Sequence, residues 1–194
     1  MDIETLIQSP YFGLQVGLSL LGIALAVIFV IVWRRRTATR RAIKLAMKAI
    51  AHEILNDVLI PDGMGGRIHI EHLILTTSGV LVLEIKDIFG TIFGSDQMEY
   101  WTVINGSQRF TIRNPQAALY DRVAAVKQVA PDIPVAGRIA FTSDGEFTKG
   151  LPRFVVSLTG LTNEFGMPGD AEASRRLDAF HPFWERIKHA AGKT

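Results

Sequence analysis

The sequence contains no cysteine, and one long segment near its N-terminus carries no charge. Without cysteine, thiolate ligands are excluded from any metal site, and the composition is compatible with a reducing compartment. Internal repeats and low-complexity tracts are also absent from the sequence. From Thr5 to Trp33 there is no Asp, Glu, Lys or Arg, although such residues make up 21% of the whole chain.

The uncharged segment is predicted to cross a membrane. Its 23 residues from Tyr11 to Trp33 are mostly Leu, Ile, Val, Ala, Gly and Phe. As a helix, they would extend roughly 34 Å, against a hydrocarbon core of about 30 Å. A signal peptide and a buried core helix are the alternatives. The run is too long for either, and Asp2 and Glu4 precede it where a signal peptide carries basic residues. We therefore predict an extracytoplasmic N-terminus over 1–10 and a transmembrane helix over 11–33.

A run of basic residues follows the apolar segment. Residues 34–48 contain seven Lys or Arg and no acidic residue. The positive-inside rule then places residues 34–194 in the cytoplasm of a single-pass inner-membrane protein with its N-terminus outside. We expect the run from Arg34 to Lys48 to contact anionic lipid, and nucleic-acid contact is the alternative. The predicted domains are thus a basic juxtamembrane segment over 34–42 and a folded domain over 43–194.

The folded domain has no basic excess. When the seven basic residues and the two N-terminal acidic residues are set aside, 14 Lys and Arg remain against 17 Asp and Glu. The sequence pI of about 9.0 is therefore no sign of a basic domain. Any nucleic-acid groove must be a local feature of the surface.

Two apolar runs separated by a short polar turn predict a β-hairpin. Residues 70–75 and 80–86 flank a Thr-Thr-Ser-Gly turn, which is typical of two antiparallel strands. With this turn, the numbers of opposed residues sum to 155, and the opposed residues share one surface because side chains alternate along a strand. The predicted pairs are Leu75 with Val80, Leu73 with Val82, Glu71 with Glu84, and His69 with Lys86.

The pair of opposed carboxylates suggests a chemistry. Two carboxylates facing each other are unfavourable unless positive charge lies between them. A divalent metal at Glu71 and Glu84, with Lys86 beside it, satisfies this requirement and is typical of a nuclease site. Carboxylate oxygens without Cys or paired His ligands favour Mg²⁺ or Mn²⁺ over zinc.

The rest of the sequence predicts an α/β fold with a mixed central sheet flanked by helices, preceded by one transmembrane helix. Turn residues at 62–66 and at Asn105-Gly106 separate strand-like segments. The predicted helices cover Arg40 to Asp57, Asn114 to about Ala130, and about Asp170 to Ala191. The predicted strands outside the hairpin cover Val58 to Pro61, Thr91 to Gly94, Tyr100 to Ile104, Phe110 to Arg113, Val135 to Thr142 and Phe154 to Leu158.

Several short motifs occur in a recognisable order, namely His52-Glu53, Ile70-Glu71-His72, residues 79–86, Phe89-Gly90-Thr91-Ile92, Tyr100-Trp101 and Asn114-Pro115. In order and spacing they resemble the nuclease-related (NERD) domain, over about Lys44 to Pro152. The resemblance implies a restriction-endonuclease-like fold of the PD-(D/E)xK superfamily. It also implies phosphodiester hydrolysis, with DNA as the expected substrate.

The resemblance assigns roles to individual residues. Glu71 and Glu84 would hold the metal, Lys86 would orient the attacking water, and Glu53 would turn toward them from its helix. The departures are Glu71, where the family usually has Asp, and His52, where a Gly usually precedes the helix glutamate. Each residue also has a structural interpretation, such as a salt bridge for Glu84 or a helix surface for Glu53. The expected substrate contacts are Gln116, Tyr120 and His69, with helix capping and packing as alternatives.

The sequence therefore predicts a membrane-anchored, metal-dependent nuclease. A different class of function is also compatible with the same residues. In that alternative, the domain is a non-catalytic, membrane-tethered module that binds nucleic acid or a protein in the same groove.

Overall fold

The computed structural model describes residues 12–142, 145–166 and 171–193. The chain divides into two compact units between Arg41 and Ala42. Helix α1 spans Phe12–Ile50. Its segment from Gly17 has the length and hydropathy of a membrane span, and its large apolar side chains from Leu18 to Trp33 are 44–69% exposed. An apolar N-terminal helix with the dimensions of a membrane span is therefore confirmed.

The second unit contains two mixed sheets flanked by helices, which confirms the predicted α/β class. One sheet has six strands in the order β10-β1-β2-β3-β7-β9, and the other has four in the order β6-β5-β4-β8. The strands are β1 (Glu53–Pro61), β2 (Arg67–Thr76), β3 (Gly79–Lys86), β4 (Gly90–Phe93), β5 (Tyr100–Asn105), β6 (Gln108–Arg113), β7 (Val135–Phe141), β8 (Gly145–Phe147), β9 (Val155–Ser157) and β10 (Gly192–Lys193). The helices are α2 (Gln116–Val129), α3 (Leu158–Phe165) and α4 (Ala171–Ala190).

The six-stranded sheet is covered on both faces. One face packs against α2, α4 and the inner face of the smaller sheet. The other face packs against α3 and the last turn of α1, around Ile50, Ile74 and Leu161. The larger core includes Leu73, Leu75, Val80, Val82, Trp101, Leu119, Val126, Trp184 and Ile187.

The predicted hairpin is confirmed, and its register holds for the pairs nearest the turn. The predicted pairs of Glu71 with Glu84 and of His69 with Lys86 are wrong, because the described pairing of β2 with β3 stops at His72 and His69 opposes Leu59 of β1. Strands β2 and β3 pair from Thr76 opposite Gly79 to His72 opposite Leu83, so each pair sums to 155. Leu73 opposes Val82 and lies with it in the larger core. Alternation along β3 then places Glu84 on the same side as Val80 and Val82, the side that α2 covers, while Leu83 and Ile85 lie on the opposite face.

The predicted helix from Arg40 to Asp57 is wrong beyond its third turn. Helix α1 ends at Ile50, and Glu53 begins β1, which pairs with β2 from Glu53 opposite Leu75 to Pro61 opposite Arg67. Ile54 continues the helical spacing of apolar residues beyond Ile50, but pairing with a distant strand decides the conformation of the residues that follow.

One helix near the C-terminal end was not predicted and another was. Helix α3 was not predicted, and it begins directly after β9, where the Ser157 hydroxyl accepts a hydrogen bond from the Gly160 amide at 3.0 Å. The predicted final helix is confirmed as α4 from Ala171 onward, whereas its first residue, Asp170, lies outside the described residues.

The start of β3 should not tolerate a side chain. Gly79 has a φ of +117°, and a Cβ there would lie 2.2 Å from the Pro134 carbonyl oxygen, which accepts a hydrogen bond from Val80. Gly79→Ala should lower the free energy of unfolding by about 3–5 kcal/mol. Gly106→Ala, at a φ of +58° with open space around it, should cost only about 1–2 kcal/mol. Denaturant unfolding followed by tryptophan fluorescence measures both, and equal losses would contradict the close approach at Gly79.

Candidate active site

A buried glutamate near the end of β3 is the centre of the site. Glu84 is 4% exposed, and it lies on the same side of the sheet as Val82, beneath α2. Its Oε1 accepts a hydrogen bond from Arg122 Nη1 at 2.5 Å, and its Oε2 lies 3.1 Å from Lys86 Nζ. A carboxylate removed from water is costly unless it is paired. Both of its oxygens are therefore balanced by a cation.

Arg122 was not predicted, and it connects three elements. From α2, its Nε donates to the His69 carbonyl of β2 at 2.7 Å, while its Nη1 reaches Glu84 of β3. The sequence does hold a signal for it. Arg122 follows Leu119 by three residues and precedes Val126 by four, so it shares the buried face of α2;.

Glu71 lies at the point where the two hairpin strands part. Among the described residues, the last cross-strand pair is His72 opposite Leu83. Beyond this pair, the amide of Ile85, two residues after Leu83, donates to Glu71 Oε2 at 3.4 Å. The Glu71 carboxylate therefore reaches the residue that follows Glu84, although the two glutamates are not a cross-strand pair.

The imidazole of His72 lies beside the Glu71 carboxylate. Its Nε2 lies 3.6 Å from Glu71 Oε1, and its Nδ1 lies 2.7 Å from Asn56 Oδ1. Burial lowers the pKa of His72, and the charge of Glu71 opposes that shift. The neutral imidazole is thus the favoured form beside the carboxylate.

Glu84, Lys86 and Arg122 line a cavity of about 420 Å³ between β3, the end of β6 and the first turns of α2. Its lining includes three basic side chains, those of Lys86, Arg113 and Arg122, and two acidic ones, those of Glu84 and Asp121. The cavity therefore carries a local positive excess within a domain that has none overall. Within the described ranges, no group of three or more His, Asp or Glu side chains is arranged to hold a metal.

The family model of the nuclease-related domain, NERD, matches residues 34–142, which is more than half of the chain. The chain belongs to the NERD family. The matched range contains Glu71, Glu84, Lys86 and Arg122, so the cavity lies within the NERD domain.

The chain is also similar to an uncharacterized protein of Bacillus anthracis. The two are 25% identical over 92 residues, which cover 47% of this chain and 43% of that protein. The chain therefore spans less than half the length of that relative. No solved structure matches the chain.

Glu53 lies in a separate cluster with residues of α4, which is outside the range that the NERD model matches. Its Oε2 accepts hydrogen bonds from Trp184 Nε1 at 2.8 Å and Lys188 Nζ at 3.3 Å, and its Oε1 lies 3.8 Å from His181 Nε2. Glu53 opposes Leu75, and Leu75 opposes Val80, so Glu53 lies level with Val80 in the sheet. Glu84 is four residues further along β3, which corresponds to about 13 Å along the strand direction. The structure therefore joins Glu53 to α4 and does not bring it to the other three predicted residues.

The Gln116 side chain is buried, and its bonds explain its position. Its Nε2 donates to Asp96 Oδ1 at 2.8 Å and to the Arg153 carbonyl at 2.6 Å. The hydrogen bond from Gln116 is the main cause of a lowered pKa at Asp96. Gln116 thus fixes the loop after β4 against the start of α2.

Tyr120 and His69 also lie outside the Glu84 cluster. Tyr120 is half-exposed, packs edge-on against Phe154 with ring centroids 5.2 Å apart, and lines a neighbouring cavity of about 370 Å³. The ring of His69 lies 3.3 Å from Asp57. His69 opposes Leu59 of β1, and only its main-chain carbonyl reaches the site, through Arg122.

Arg122 should stabilise the fold through the buried charge of Glu84. Arg122→Ala leaves that carboxylate with Lys86 alone, and the free energy of unfolding should fall by about 1.5–3 kcal/mol. Arg176→Ala, which removes an exposed pair with Glu172 on α4, should cost less than about 0.5 kcal/mol. The loss at Arg122 should shrink when Glu84→Gln is already present, because the buried charge is then gone. A loss no larger than that of Arg176→Ala would show that Glu84 does not need Arg122.

The Glu53 cluster should make stability depend on acid pH. The hydrogen bond from Trp184, helped by Lys188 and His181 and opposed by burial, holds the pKa of Glu53 below its ordinary value of 4.5. Because the folded pKa is the lower one, the contribution of Glu53 is complete above the unfolded pKa and is lost as the pH falls through the folded pKa. The difference in unfolding free energy between the natural chain and Glu53→Gln should therefore be constant near neutral pH and shrink below about pH 4.5.

Urea titrations from pH 3 to pH 8 measure this difference. Glu172→Gln, which removes an exposed carboxylate from the same helix that holds Trp184, is the control and should change little at any pH. A Glu53→Gln effect that grows as the pH falls would contradict the assignment.

Proposed function

We propose that this NERD protein is a membrane-anchored, Mg²⁺-dependent nuclease that hydrolyses phosphodiester bonds in DNA. The observation that carries the proposal is the cavity in which a buried carboxylate, a lysine and two arginines converge. Membership of a nuclease-related family supports it. The positive excess in the cavity suits a phosphate group, and the carboxylates suit a hard metal ion.

The donor set agrees with Mg²⁺ or Mn²⁺ and not with zinc. Mg²⁺ commonly uses one or two protein carboxylates and keeps several waters, so it needs no cage of three side chains. Glu84 in the cavity would supply one carboxylate, and Glu71 on the neighbouring strand, whose Oε2 accepts from the Ile85 amide, would supply the second. Because both oxygens of Glu84 contact cations, the metal would bind as Lys86 turns away from Glu84. When bound, the ion would supply a water of lowered pKa and neutralise charge on the phosphate.

The basic residues have separate tasks in this proposal. Lys86 is one-third exposed at the cavity, so its ammonium can orient a water or donate to a phosphoryl oxygen once it leaves Glu84. Arg113 faces the same cavity and can hold a phosphate through paired N–H groups. Arg122 is tied to the His69 carbonyl, so it positions Glu84 and adds positive charge at the rear of the cavity.

The apolar helix and its basic flank would confine the activity to one place. The proposed topology is a single-pass inner-membrane protein with the N-terminus outside and the NERD domain in the cytoplasm. The seven basic residues between Arg34 and Lys48 would lie against anionic lipid. The substrate would then be DNA close to the membrane surface.

A cleavage assay on the full chain in detergent tests the proposal. Labelled single-stranded, duplex and branched DNA would be incubated with Mg²⁺, with Mn²⁺ or with EDTA. We expect cleavage with either metal, none with EDTA, and losses of at least a hundredfold in Glu84→Gln and Lys86→Ala. The matched controls are Glu172→Gln and Lys149→Ala, which change exposed residues outside the cavity and should keep the rate. Cleavage that survives Glu84→Gln or persists in EDTA would contradict the proposal.

One observation favours a second candidate function. Arg122 and Lys86 already balance both oxygens of Glu84, so the Glu84 charge needs no metal to neutralise it. A non-catalytic module that binds nucleic acid or protein in this groove would have the same arrangement. Tight DNA binding without cleavage by folded protein, on every substrate and with either metal, would establish that alternative.

A further inference from the structure

The smaller sheet has one face that packs on the core and one that does not. Trp101 and Val103 of β5 point inward and are fully buried. Tyr100 and Ile104 of the same strand point the other way, as alternation along a strand requires. Residues paired directly with Tyr100 and Ile104 on the neighbouring strands lie on the same outer face, because directly paired residues share one side of a sheet. The outer face is defined by Phe93, Tyr100, Ile104, Arg109, Arg113 and Glu146, with threonines between them.

Aromatic and basic side chains lie next to each other on this outer face. Tyr100 is 53% exposed and Phe93 is 38% exposed. Tyr100 lies directly opposite Arg113, and Ile104 lies directly opposite Arg109. The two arginines are both on β6, whereas Glu146 is on β8 at the far edge. The outer face is therefore positive along the β6 edge and aromatic through its centre.

The positive edge is continuous with the proposed active site. Arg113 ends β6, opposes Tyr100 on the outer face, and also lines the cavity that contains Glu84 and Lys86. Opposed residues on paired strands have Cβ atoms about 5 Å apart. A nucleic-acid strand that leaves the cavity beside Arg113 would therefore contact Tyr100 next to it. It would reach Arg109 about 13 Å further along β6.

We propose that the outer face of the smaller sheet binds single-stranded DNA and leads it into the Glu84 cavity. The proposal rests on the nuclease function proposed above and names the form of its substrate. Tyr100 and Phe93 offer ring faces on which unpaired bases can stack, and Arg109 and Arg113 offer charge to the backbone. A duplex buries the faces of its bases in its own stack, so it cannot use the two rings.

Binding in EDTA tests this inference apart from catalysis. The full chain in detergent would be titrated against a fluorescent oligo-dT and against a duplex of the same length, with anisotropy as the readout and several salt concentrations. Tyr100→Ala should weaken oligo-dT binding by about tenfold, as expected for the loss of one stacked base. Arg109→Ala should reduce the slope of log K against log salt by about 0.7, as expected for one phosphate contact on a single strand.

Two matched controls keep the result specific. Met64→Ala removes an exposed apolar side chain from the turn between β1 and β2, and Arg175→Ala removes an exposed positive charge from α4. Neither residue is on the outer face, so both variants should bind oligo-dT like the natural chain.

The outcomes separate this inference from the proposed function. Weaker binding in Tyr100→Ala and a smaller salt slope in Arg109→Ala, with both controls unchanged, would support the outer face whether or not the protein cleaves DNA. Metal-dependent cleavage together with unchanged oligo-dT binding in both variants would overturn the outer face and leave the nuclease standing. Binding of duplex as tight as that of oligo-dT would also overturn it.

Discussion

The buried carboxylate of Glu84 constrains the whole site. An ionised group beneath a helix is tolerated only when it is paired, and here the partners come from β3 itself and from α2. The same arginine also holds the main chain of β2 at His69. Glu84 is therefore a shared point of contact. Through Arg122 it links the packing of α2 to the sheet, it lines the cavity, and it lies near Glu71 where the hairpin strands part.

This arrangement also relates the two candidate functions to each other. A carboxylate held by two cations is stable without a metal, and the same cations become available for phosphate when an ion takes their place. Under the proposed function, the competition between a metal and the cations for Glu84 would decide whether the cavity cleaves or only binds. In the proposed function, the positive edge formed by Arg113 and Arg109 would serve nucleic-acid binding in either case.

Local patterns in the sequence predicted part of this structure. The pairs nearest the hairpin turn followed from a two-residue turn, and strand alternation placed Glu84 on the buried face correctly. The expected pairs beyond His72 do not form, because His69 pairs with β1. The conformation after Ile50 could not be predicted in the same way, because pairing with β2 decided it. Glu53 is bonded to Trp184, 131 residues later in the chain, and no local pattern indicates such a partner. Arg122 was within reach, since its helical spacing from Leu119 and Val126 marks a cation on a buried face.

The most direct measurement is anomalous diffraction from crystals of the full chain soaked in Mn²⁺. Our interpretation predicts a manganese peak in contact with the carboxylates of Glu84 and Glu71, with Lys86 turned away from Glu84. It also predicts that Glu84→Gln crystals lack this peak. Crystals that bind Mn²⁺ elsewhere, or that keep Glu84 paired with both cations at saturating Mn²⁺, would contradict the metal site and favour a binding module.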